Sequence, residues 1–132
     1  MPRMSAPPES LANARYLSLE TFRKDGTGVK TPVWFAALDG KLIVATEAST
    51  YKVKRLRNDP KVRVAACNGS GSRILGPWLD GSARLLDGDE ARRGDEALSR
   101  KYTWQRKAFH WFAKVMGRIR EPVVIEITLA AG

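Results

Sequence analysis

The chain has 132 residues, of which 43% are hydrophobic and 28% charged, and a formal net charge of +9. That length suits one domain with one core, and those proportions exclude a wholly disordered chain. No run approaches the roughly 18 uncharged apolar residues of a membrane span, which argues against stable membrane insertion.

Residues 1–10 hold Pro2, Pro7 and Pro8 but no apolar run, so they read as a flexible arm and not a signal peptide. Residues 11–132 read as one domain. Over residues 14–21, Leu17 and Leu19 alternate with polar neighbours, which predicts a half-buried strand. Gly26 and Gly28 supply a hairpin loop, and residues 29–38 form a second strand. Pro32 sits inside that strand; proline donates nothing to a ladder, so it belongs at an edge, a bulge or a ligand-facing gap. Asp39-Gly40 signals a tight turn before a third strand at residues 41–46. Ser49 or Thr50 can cap a short helix reaching about Asn58, with Val53 and Leu56 facing inward. Asp59-Pro60 ends it. Strands follow at residues 61–67 and 78–86, separated by the Gly-rich loop 68–77. Asp87 or Asp89 can cap a helix from about Glu90, and residues 104–118 carry Phe109, Phe112, Ala113 and Met116 at helical spacing. Residues 123–129 close the chain as a sixth strand, with Val123, Ile125, Ile127 and Leu129 on one face. Six hairpin-linked strands with late helices imply a closed or nearly closed barrel. Side chains fill so small a barrel, so a sizeable ligand must lie in a groove or at a subunit interface.

The positive charge favours anionic partners but does not choose among nucleic acid, acidic membrane and phosphorylated small molecules. Residues 46–63 concentrate Lys52, Lys54, Arg55, Arg57, Lys61 and Arg63 against Glu47 and Asp59. A helix beginning near Ser49-Thr50 aims backbone N–H groups and the positive end of its dipole outward, and the hydroxyls of Thr46, Ser49 and Thr50 add donors. Lys52 and Arg55, three apart, can share a side. A phosphate clamp and a merely solvated basic face both fit. Arg57, Lys61 and Arg63 read as solvated surface. Beside this run lie Lys30-Thr31-Pro32-Val33-Trp34 and the loop Leu75-Gly76-Pro77-Trp78; both tryptophans suit core packing as well as stacking on a ligand ring.

Other chemistries are excluded. One histidine, His110, lies among aromatics, and one cysteine, Cys67, ends an apolar strand; a zinc site of the usual kind needs more. One cysteine closes no internal disulfide either, which favours the reducing cytosol and a cytoplasmic protein. No Gly-Lys-Ser/Thr loop or Gly-x-Gly-x-x-Gly turn occurs, and the carboxylates show no pairing for acid–base catalysis, so no catalytic residue and no metal ligand is assigned. The aromatics are not interleaved with the basic run, which counts against a nucleic-acid-binding barrel.

The succession Thr31-Pro32-Val33-Trp34, then Gly40 to Thr46, then Lys52-Val53-Lys54-Arg55-Leu56-Arg57-Asn58-Asp59-Pro60-Lys61-Val62 resembles the flavin and deazaflavin oxidoreductases related to pyridoxamine 5′-phosphate oxidase. Within that superfamily it is most similar to the deazaflavin-dependent branch of actinobacteria, and Gly81-Ser82-Ala83 matches a later strand of the pattern. The resemblance implies a mainly β fold, a six-stranded antiparallel split barrel, working as a homodimer with its cofactor in a groove between subunits. It implies coenzyme F420, with FMN as the alternative, transferring hydride to a small-molecule acceptor. The phosphate end would lie on Ser49, Thr50, Lys52 and Arg55, near Thr46. The ring would lie against Lys30, Thr31, Pro32, Val33 and Trp34, under Leu75, Gly76, Pro77 and Trp78, from the partner chain. A non-catalytic cofactor carrier is the competing reading. The substrate signature of pyridoxamine oxidase is not recognisable.

Overall fold

The computed structural model describes residues 9–12, 14–47, 51–104 and 122–130. Six antiparallel strands, β1 (Tyr16–Phe22), β2 (Gly28–Leu38), β3 (Lys41–Glu47), β4 (Lys61–Cys67), β5 (Leu79–Leu86) and β6 (Pro122–Leu129), close a barrel in the order β1-β2-β3-β6-β5-β4. Among the described residues three helices accompany them: α1 (Glu9–Ala12), α2 (Tyr51–Asn58) and α3 (Gly88–Trp104). The expected barrel and its meander β1-β2-β3 are both present. Asp39 and Gly40, with φ of 53° and 79°, make the two-residue turn that joins β2 to β3.

Alternation sorts the strands into two cores. Leu17, Leu19, Val33, Phe35, Leu42, Val44, Val62, Val64, Ile125 and Ile127 fill the barrel, joined by Leu11 of α1 and Leu56 of α2. Ala36, Ile43, Leu86 and Val124 face outward and are covered by Ala97, Leu98 and Tyr102 of α3. As expected, Val53 and Leu56 are the buried side of α2.

The structure departs from the sequence reading in three places. Glu9 and Ser10, expected in the arm, already belong to α1; residues 1–8 lie outside the described part. The strand β1, expected to be half-buried, is buried on both faces, Ser18 and Glu20 included, because the segment between β4 and β5 folds over its outer side. The helix α3 starts at Gly88 and runs to Trp104; the helix expected over residues 104–118, with His110, falls beyond the described residues except for Trp104.

The strand β2 changes partners midway. Gly28 to Trp34 pair with β1, whereas Phe35 to Leu38 pair with β3. β3 meanwhile pairs with β6 from Leu42 to Glu47. Among the described residues the first half of β2 therefore has no strand on its other side, and Pro32 sits in that free-edged half, as the proline required.

At the opposite end of β2 the ladder is finished by a side chain. The buried Tyr102 hydroxyl accepts a hydrogen bond from Phe35 N–H (3.0 Å) and lies 2.7 Å from Arg15 O and 3.0 Å from Phe35 O, to which its one proton can be donated. Lys101 donates to Ala14 O at 2.9 Å. The last turns of α3 thus fasten the entry of β1 to β2. Replacing Tyr102 by Phe strands these buried backbone groups and is expected to cost about 1–3 kcal/mol, measured as a lowered urea midpoint with unchanged slope. Gly94 is where α3 comes closest to the sheet: a Cβ there would lie 2.8 Å from Val124 Cγ1 and 2.9 Å from Ile43 Cγ2. Gly94→Ala gains about 1 kcal/mol of helix propensity but forces overpacking worth about 1–3 kcal/mol, so the same measurement should show a neutral to destabilised variant.

Candidate functional site

The helix α2, which follows β3, is fastened to β1 at the end of the barrel where Thr21 pairs with Val29 of β2. Thr21 of β1 faces inward, fully buried, and is paired with Val29 of β2. Arg55 reaches back from α2 and donates from Nε to Thr21 Oγ1 at 2.6 Å. The helix is therefore tied to the strand pair one residue before Lys30. Lys52 is half-buried on the same helix; burial, and after it the charge of Arg55, hold its ammonium below the ordinary lysine pKa. Arg55 is lowered as well, by burial and then by Arg23. Among the described residues neither Lys52 nor Arg55 has a carboxylate partner; Arg55 is repelled by Lys52 on one side and by Arg23, which also faces Asp25, on the other. Such an arrangement stabilises a bound anion, which lowers the mutual repulsion and compensates the desolvated ammonium.

The residues expected to contact a ring divide into two sets. Thr31 points inward, and its Oγ1 is buried without a hydrogen-bond partner among the described residues. Lys30 and Pro32 face outward and are exposed. Val33, on the same inward face as Thr31, is 6% exposed and belongs to the barrel core. Trp34 stacks edge-on between Tyr16 (5.1 Å, 66°) and Tyr102 (4.4 Å, 75°), a packed aromatic row. Thr46 is 7% exposed at the end of β3. Ser49 and Thr50 lie outside the described residues.

The segment between β4 and β5 does approach β2, but not through all the residues singled out. Leu75 and Pro77 are exposed, and Leu75 N–H donates back to Ala66 O at 2.8 Å. The contacts come from Gly71, whose added Cβ would lie 3.2–3.4 Å from the Pro32 ring, and from Trp78. Lys30 Nζ sits 5.1 Å from the Trp78 ring centroid, within the same chain. Gly76 instead packs beside Ser10 of α1.

Arg63 corrects the sequence reading. Expected to be solvated, it is half-buried, bonds the nearly buried Glu20 at 3.1 Å, approaches Asp80 at 3.8 Å and lies 5.1 Å from the same Trp78 ring. Glu20 is the register partner of both Lys30 on β2 and Arg63 on β4, so the three form a row across three strands. The Glu20 carboxylate leans over Gly28, where any Cβ would collide with it. No local pattern marks Glu20, Thr21, Arg23, Arg63 or Gly71; Glu20 meets Arg63 across 43 positions through strand register, and Thr21 meets Arg55 across 34. Arg57 and Lys61 are exposed as expected, and Cys67 is a buried free thiol that burial keeps protonated.

Comparison with solved structures finds this barrel repeatedly. A conserved hypothetical protein from Mycobacterium tuberculosis superposes with a TM-score of 0.67 at 24% identity, over 90% of this chain and 75% of that one. A FAD-binding protein from Mesorhizobium loti gives 0.64 at 20% identity, over 93% and 84%. HutZ, the heme storage protein of Vibrio cholerae, gives 0.64 at 12% identity, over 91% and 84%. At these identities the likeness is one of fold. A search of curated proteins finds no significant match. The pyridoxamine 5′-phosphate oxidase family profile, however, matches residues 8–132, and with the six-stranded closed barrel in hand the chain belongs to that family.

Proposed function

We propose that this protein is an oxidoreductase that binds the deazaflavin coenzyme F420 and passes hydride between it and a small-molecule acceptor. The observation that carries the reading is the pair Lys52 and Arg55: two partly desolvated cations, without a carboxylate among the described residues, at the free-edged half of β2. They would hold the phosphate, with Ser49 and Thr50 beside them. The free β2 edge near Lys30 and Pro32 offers backbone hydrogen-bonding groups to a planar ring, so the residues present fit such a cofactor. When bound, the cofactor supplies the hydride chemistry; the chain binds, orients and shields it, which suits a site without an acid–base pair. The net charge of +9 favours an acidic cofactor. A second copy of the chain would complete the groove.

FMN is the alternative cofactor, supported by the fold shared with a FAD-binding protein, and a carrier without turnover is the alternative role, supported by the fold shared with a heme storage protein. Titrating the purified protein with each cofactor and following fluorescence quenching distinguishes them. Saturable binding of F420, with oxidation of the reduced form accelerated by an added acceptor, is the expected result. Tight FMN binding without F420 binding overturns the choice of cofactor, and binding without any turnover makes the protein a carrier.

Lys52→Ala and Arg55→Ala should each weaken binding roughly 10- to 100-fold, the worth of a charged hydrogen bond of about 1.5–3 kcal/mol. The lowered pKa of Lys52 gives a signed pH dependence. An arriving phosphate favours the protonated amine, so binding takes up protons on the alkaline side. Affinity falls as pH rises through the lowered value, before an ordinary lysine near 10.4 would lose its charge. Calorimetry in buffers of different ionisation enthalpy should show this uptake in wild type and lose it in Lys52→Arg.

A further inference from the structure

Building on that reading, we infer that Trp78 is a positioning residue that holds the Lys30 ammonium at the ring site, where it takes up the negative charge that hydride transfer places on the ring. The row Lys30, Glu20, Arg63 crosses β2, β1 and β4 in register, so the two cations flank one carboxylate at neighbouring-strand spacing of roughly 5 Å. Left to Coulomb's law, the two would compete for Glu20. The structure resolves the competition in favour of Arg63, which bonds Glu20 at 3.1 Å and has Asp80 at 3.8 Å. Lys30 has no acidic partner among the described residues; its one described contact is the face of Trp78, 5.1 Å away. The same indole lies 5.1 Å from the Arg63 guanidinium. Trp78 therefore stands over the row and gives both cations a π surface, worth the most where water is partly excluded.

This placement has a chemical use. Adding a hydride to a flavin or deazaflavin ring brings one proton and two electrons, and so leaves one negative charge on the ring until a further proton arrives. A fixed ammonium beside the free half of β2 stabilises that charged form over the neutral oxidised form, and charge close to the ring is a lever by which a protein tunes such a cofactor. Lys30 then favours the reduced state without being a proton donor, and Trp78 acts only through Lys30. Gly28 serves the same end: with no side chain there, the Glu20 carboxylate has room beside Arg63.

The test compares oxidised and reduced FMN, and oxidised and reduced F420, binding to wild type, Lys30→Met, Trp78→Phe, Trp78→Leu and the double variant Lys30→Met/Trp78→Leu. Lys30 is exposed, so its replacement leaves the fold intact. The expected result is that Lys30→Met reduces the preference for the reduced form about tenfold, a fall of about 30 mV in a two-electron midpoint potential. Trp78→Leu should reproduce part of that fall, Trp78→Phe should restore it, and Trp78→Leu should add nothing once Lys30 is Met. An unchanged reduced-to-oxidised preference in Lys30→Met, or additive losses in the double variant, overturns the inference and leaves the cofactor assignment standing. Failure of wild type to bind either cofactor overturns the assignment itself, and the inference with it.

Discussion

The change of partner in the middle of β2 is the constraint on which the rest depends. A strand can hydrogen-bond on two sides, and β2 uses its far side for β3 only from Phe35 onward. Everything before that point has an edge to fill. The proline at position 32 fits there because no second ladder among the described residues is broken, and the threonine at 31 has a buried hydroxyl without a partner among them. The helix α2 comes after β3 and sends Leu56 into the barrel, while its Arg55 bonds Thr21 of β1, the register partner of Val29 on β2. A barrel closed by six full ladders would have no such place.

The electrostatics of the two outer neighbourhoods differ in kind. Around Glu20 the charges are matched: a nearly buried carboxylate meets a guanidinium, and burial strengthens the pair where isolation would make either charge costly. Around Lys52 they are unmatched, and burial combines with repulsion. On the far side of the barrel, Arg84 bridges Glu90 and Glu126, and Arg93 meets Asp39, in exposed networks of ordinary surface pairs. At the end of the barrel where Thr21 pairs with β2, by contrast, Lys52 and Arg55 have no acidic partner among the described residues.

Much of this architecture was legible in the residues. Apolar, β-branched runs bounded by turn residues located all six strands to within about two residues, even where, as in β3 and β4, both faces of the strand are buried. Val53 and Leu56 announced the inner side of α2, and Pro32 announced the edge. What could not be read was neighbourhood. Arg63 looks like any lysine or arginine in a basic run until β4 is set beside β1, and only then does Glu20 become its partner. Trp34 looks like a ring-stacking residue until Tyr102, 68 positions later, is found against it. Burial of β1 on both faces depends on a loop whose path no local pattern encodes. Spacing along the chain reports on helices and turns; spacing across strands is fixed by closure of the barrel.

The position of β6 in the barrel order has a consequence in time. It lies between β3 and β5, and its pairing with β3 joins residues about eighty positions apart. Such non-local closure is slow, because the loop entropy is lost before the contacts form. The strand pair β1-β2, the turn at Asp39-Gly40 and the helix α2 are all local and complete well before the sixth strand is made. During synthesis the end of the molecule that carries Lys52 and Arg55 can therefore assemble on a sheet that is still open, and any ligand held there would act on the folding chain as a template.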